Sequence, residues 1–132
     1  MGYRSDVRIL VNQEGLNILR EKTIAYAKAY CASTDEIWAQ DYCKQSVVDQ
    51  DWDIIGTNVK DEVILEQSCI KWDEDYKDVK WLLDGLEVLS EMEIPYHLIQ
   101  IGEDGEVYED DNTHLGPSLK TTMYVRHVFD FY

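Results

Sequence analysis

The side chains with the most evident chemistry in this chain are carboxylates. Between Ile101 and Thr113 lie Glu103, Asp104, Glu106, Glu109, Asp110 and Asp111, and a second group, Asp73, Glu74, Asp75 and Asp78, stands at the start of a helical pattern. Carboxylates this dense can take a hard cation, act as an acid/base pair, or show a negative face to a cationic partner. The spacing does not fit a regular calcium loop, which needs oxygen-bearing side chains at alternating positions ahead of its Gly and a Glu six residues after it. Here Glu103 and Asp104 are adjacent before Gly105, and the sixth residue after that Gly is Asp111. A looser Ca²⁺ or Mg²⁺ site around Glu109, Asp110 and Asp111 is the alternative, with metal-assisted hydrolysis as its reaction class.

Other chemistries find fewer ingredients. His97, His114 and His127 include no pair at the i, i+4 spacing that sets two imidazoles on one metal, and His97 and His127 read as core or edge histidines. Cys31, Cys43 and Cys69 form no C-x-x-C or Cys/His ligand pattern, so they read as buried thiols in a reducing compartment, with an intermolecular disulfide or a reactive thiol as the lesser reading. No G-x-S-x-G elbow and no Gly-rich phosphate cradle occurs, and with 27 acidic residues some carboxylate pair always looks fit for acid/base work. No catalytic residue and no cofactor is assigned.

The elements that must position these groups follow from periodicity. Residues 3–11 alternate as a strand, with Val7, Ile9 and Val11 on one side, and Asn12 caps a helix over 13–30 whose packing face holds Leu16, Leu19, Thr23, Tyr26, Ala27 and Tyr30. Ser33 or Thr34 opens a shorter helix carrying Ile37, Trp38 and Tyr42. Residues 47–55 and 63–72 read as antiparallel strands around a Gly56-Thr57-Asn58 turn, with Trp52 inside and Asp49, Asp51 and Asp53 outside. The apolar stripe Val79, Leu82, Leu83, Leu86, Leu89 and Met92 predicts a helix over 75–91, within which Gly85 suggests close packing. After Pro95 come a strand over 96–101, an Asp104-Gly105 hairpin turn, a return strand from Val107-Tyr108, and a terminal strand carrying Met123, Val125, Phe129 and Phe131. The order is β-α-α-β-β-α-β-β-β. Its core is the ferredoxin-like β-α-β-β-α-β arrangement with an extra short helix and a late β-hairpin, an α+β fold whose antiparallel sheet carries two main helices on one face. At 132 residues, with no linker and no repeat, the chain reads as a single domain.

Three stretches carry a resemblance. The opening Met1-Gly2-Tyr3-Arg4-Ser5-Asp6-Val7, the run from Ile70-Lys71-Trp72 through Tyr76 to Val79, and Ile99-Gln100-Ile101-Gly102-Glu103-Asp104 resemble a group of small uncharacterised phage and prophage proteins. The resemblance implies a protein of the host-cell cytoplasm and supplies no enzymatic signature to carry over. Arg is common in that group where Gln100 stands here. Tyr3, Arg4, Ser5 and Asp6 also have a purely structural reading, as residues that start and lock the first strand.

Charge then points to the partner. A formal net charge of −15 repels nucleic acid, anionic membranes and acidic substrates, and so favours a basic partner. No membrane span and no secretory leader is evident, and Asp6 stands where an N-myristoylation motif has Ser or Thr. The expectation is a non-enzymatic accessory or inhibitor protein binding a basic host protein through its acidic residues. A nucleic-acid-binding enzyme is the natural target, with the carboxylates imitating phosphates. Solubility is the plainer explanation of the same acidity.

Overall fold

The computed structural model describes residues 4–112 and 119–121. Along the chain run β1 (Ser5–Asn12), α1 (Gln13–Cys31), α2 (Ile37–Lys44), α3 (Val47–Asp51), β2 (Asp53–Gly56), β3 (Glu62–Ile70), α4 (Lys77–Glu91), β4 (Tyr96–Gly102) and β5 (Val107–Asp111). The five strands form one antiparallel sheet in the order β2-β3-β1-β4-β5. Both helical crossovers skip a strand: β1-α1-β2 passes over β3, and β3-α4-β4 passes over β1. This is the split β-α-β pattern of the expected α+β fold, with β5 added beside β4. The expected terminal strand, with His127, lies outside the described residues, as do Tyr3 and His114.

Alternation decides which residues enter the core. Val7, Ile9 and Val11 of β1, Leu65 of β3, and Tyr96 and Leu98 of β4 face the helices, where Leu16 and Leu19 of α1 and Val79, Leu82, Leu86 and Leu89 of α4 meet them. Asn12 caps α1 as expected, its Oδ1 accepting the Gly15 N–H at 2.8 Å. Gly85 is where α4 meets α1: a Cβ there would lie 2.8 Å from Leu19 Cδ2. The α4 stripe holds except at its end, where Met92 is exposed as the C-cap while Trp81 is buried.

One strand is replaced by a helix. Residues 47–51, expected to begin a strand, form α3, because Ser46 Oγ accepts the Val48 N–H and Asp49 in the first turn pairs with Arg20 at 2.9 Å. Val47 and Val48 are both buried in the same cluster as the helix-facing strand residues, so consecutive side chains enter one side of the sheet, which a strand's alternation would forbid. Trp52 follows as the C-cap and is buried with Asp53 exposed, as expected, but Asp49 and Asp51, expected outside, are half-buried because they bond Arg20 and the Tyr42 hydroxyl.

The sheet's second face has its own apolar cluster. Leu10, Ile99 and Ile101 are fully buried there, with Ile64 and Leu119 packed against them. Glu62 fastens the 119–121 segment to β3: its two carboxylate oxygens accept the Lys120 N–H at 2.8 Å and the Thr121 N–H at 2.7 Å. Burial pushes the Glu62 carboxyl up, but the N–H donors of Lys120 and Thr121 outweigh it and hold the group below its ordinary value. A carboxylate with a depressed folded pKa stabilises the fold above its unfolded value, and that contribution is lost as pH falls through the folded one. Between about pH 5 and pH 3 the wild type should therefore lose more unfolding free energy than Glu62→Gln, which has no charge to lose. Parallel urea titrations at the two pH values check this, and identical losses would deny Glu62 that role.

Candidate partner-binding surface

The registers bring parts of both predicted acidic groups to one end of the molecule. Ser5, at the start of β1, pairs with Ile70 at the end of β3 on one side and with Gly102 at the end of β4 on the other. The loop carrying Asp73, Glu74 and Asp75 and the turn carrying Glu103, Asp104 and Glu106 therefore leave the sheet at the same end, and all six residues are exposed. The turn is closed by Gly105 N–H to the Gly102 carbonyl at 2.9 Å, and Gly105 itself has φ +81°. α4 begins at this end, and Asp78 in its first turn is half-buried. Burial, reinforced by the charge of Asp51, raises the Asp78 carboxyl above its ordinary range.

Glu109, Asp110 and Asp111 do not join that group. β5 carries them away along the sheet edge, so that Asp111 comes opposite His97, roughly 14 Å of strand from Val107. Their side chains also alternate. Glu109 meets His97 at 3.4 Å on one face, and Asp110 accepts the Tyr96 hydroxyl at 2.7 Å on the other. Burial and the hydrogen bond to Asp110 together push the Tyr96 phenol far up. The loose cation site expected at these three residues thus lacks convergence, and among the described residues no group of three or more His, Cys, Asp or Glu side chains is placed to hold a metal.

The opening residues lock this end of the sheet. One extra residue of β3 bulges opposite β1, leaving Cys69 at φ +57°. Asp6 Oδ1 accepts the Cys69 N–H at 2.9 Å, and Arg4 Nη1 donates to the Cys69 carbonyl at 2.9 Å. On the other side Glu103 Oε1 accepts the Arg4 N–H at 2.8 Å, and Gln100 Nε2 donates to Ser5 Oγ at 2.9 Å. A cavity of about 200 Å³ lies among Arg4, Ser5, Asp6, Cys69 and Glu103. Arg4, Ser5 and Asp6 thus tie the start of β1 to the ends of β3 and β4, and their contacts are those of a structural lock.

Sequence reasoning did not find the apolar part of this end. α1 finishes and α4 starts here, and between them α2 lays an aromatic cluster. Trp81 of α4 is its buried centre, stacked on Trp38 at 6.0 Å and met edge-on by Tyr30 at 6.0 Å and Tyr42 at 5.8 Å. Trp38 remains 44% exposed, beside Ile37 at 80%, and Tyr76, the N-cap of α4, is 46% exposed. Acids border the cluster. Glu36 Oε2 accepts both the Trp38 indole N–H at 2.6 Å and the Tyr30 hydroxyl at 2.9 Å, while Asp51 accepts the Tyr42 hydroxyl at 2.7 Å. Lys77 Nζ stands 5.3 Å from the Tyr30 ring centre, so one aromatic face already holds a cation.

Comparison of the chain with family models, curated proteins and solved structures finds no match. Among the described residues no helix is long and apolar enough to cross a membrane.

Proposed function

We propose that this chain is a non-enzymatic, phage-type accessory protein that binds a basic host protein through the end of the sandwich where β1 begins. The partner's surface is one that otherwise holds nucleic acid, and the bound chain occludes it. The observation that carries this reading is the exposure of Trp38, Ile37 and Tyr76, with the Glu36 carboxylate bonded to the Trp38 indole and exposed Asp73, Glu74 and Asp75 immediately ahead of Tyr76 in the chain. Aromatic anchors with a charged border match the anatomy of a protein interface, the anchors giving affinity and the border giving encounter rate and orientation. Surface added only for solubility would not need an exposed Trp stacked on a buried one. The phage-type assignment rests on the three resembling stretches.

The test is capture of host proteins on the tagged chain at low and high salt, followed by competition with duplex DNA. A basic partner should be held at low salt, released as salt rises and displaced by DNA. Trp38→Ala should weaken the complex by about 2 kcal/mol or more, roughly 30-fold, at every salt concentration. A partner whose hold ignores both salt and DNA would contradict mimicry.

A further inference from the structure

We propose that Cys31 and Cys43 are a redox-responsive pair that closes to a disulfide and staples α2 to α1. Cys31 is the last residue of α1 and Cys43 stands one residue from the end of α2, and the two Sγ atoms approach to 3.1 Å. That gap is about 1 Å longer than a disulfide bond, so a short further approach of the two sulfurs closes it. Both thiols are only half-buried and within reach of a small reagent, while Cys69 is exposed and far along the chain on β3. The pair sits behind the aromatic cluster, packed with Ala39, Tyr42 and Trp81.

The natural oxidant is a low-molecular-weight disulfide such as oxidised glutathione. One cysteine thiolate attacks it, forming a mixed disulfide and releasing one glutathione thiolate. The second cysteine thiolate then displaces the remaining glutathione, so the chain loses two hydrogens while two glutathione thiols form. The staple has something to hold, since α2 has only 8 residues and its N-cap Glu36 makes no side-chain capping bond. Closing the loop ties down the helix that presents Ile37 and Trp38. The chemistry stands on its own, and only its effect on binding rests on the proposed function.

Incubating the folded protein in glutathione buffers, alkylating free thiols and digesting with trypsin tests the pairing. Cleavage after Lys28 and Lys44 places both cysteines in residues 29–44, and Cys69 falls in residues 61–71. The expected product is a 29–44 peptide two hydrogens lighter and resistant to alkylation, with Cys69 alkylated or carrying glutathione. Closure should need a lower ratio of oxidised to reduced glutathione in the folded chain than in concentrated urea, and in Cys43→Ser the Cys31 mixed disulfide should persist. Two alkylated or two glutathione-bearing cysteines in residues 29–44, a disulfide-linked dimer, or equal closure in urea would each overturn the proposal.

Discussion

Replacing Trp81 by Ala should lower the unfolding free energy by about 3–5 kcal/mol, the range for emptying a buried aromatic site. Trp81 is 5% exposed and packs against Ala27, Ala39, Tyr30, Tyr42 and both cysteines of the α1–α2 pair. Removing it leaves a cavity between three helices and takes the platform from under Trp38. A surrounding structure fixed by α1–α4 packing can collapse only in part. The loss should therefore appear as a lower urea midpoint with an unchanged slope, together with a weaker near-ultraviolet aromatic signal. Trp81→Phe, which keeps a ring in place, should lose less. A loss below about 1 kcal/mol for the Ala variant would mean that α2 is not held by this cluster.

Asn112→Ala should cost about 2–4 kcal/mol, although the residue follows the last described strand. Its buried Oδ1 accepts the Tyr96 N–H at 2.7 Å, and its Nδ2 donates to the Ile94 carbonyl at 2.8 Å and to Ser90 Oγ at 3.1 Å. One side chain thus satisfies both backbone groups that flank Pro95, where the chain leaves α4 and enters β4. Alanine strands a buried donor and a buried acceptor, each costing about 1–3 kcal/mol when unpaired. Asn112→Asp keeps an acceptor but loses both donations, so it should not restore stability. Chemical denaturation of the three proteins checks the order, and a neutral Asn112→Ala would mean that water replaces the side chain at both groups.

The fold was legible where a local pattern and the tertiary structure agree. Strand alternation in 5–12, the Asn12 cap and the Asp104-Gly105 turn are short-range signals that nothing distant overrides. α3 was missed because Val47-Val48 reads as β-branched strand, although Ser46 with Asp49 three residues on is itself a helix-start pattern. The deciding contact lies outside any local window, since the Ser46 hydroxyl is 2.8 Å from that of Thr23 on α1. Glu62 and Asn112 were invisible as anchors for the same reason, each bonding groups many residues away.

The candidate surface was half legible. Composition located the carboxylates, but only the register of β1 against β3 and β4 shows that residues 73–75 and 103–106 share an end. Alternation within β5 was readable and already separates Glu109 from Asp110, so their failure to converge had a sequence signal. Trp38 had none. Its helix repeats too briefly for periodicity to separate a buried from an exposed aromatic, and its exposure depends on Trp81 filling the space beneath it.

The most direct measurement is capture from host lysate in parallel on three proteins: wild type, Trp38→Ala, and the charge-neutral variant Asp73→Asn/Glu74→Gln/Asp75→Asn, each first shown to be folded. One basic nucleic-acid-binding protein is expected on the wild type at low salt, sharply reduced on both variants and absent at high salt. The same partner held equally by all three would place the interface elsewhere on the molecule.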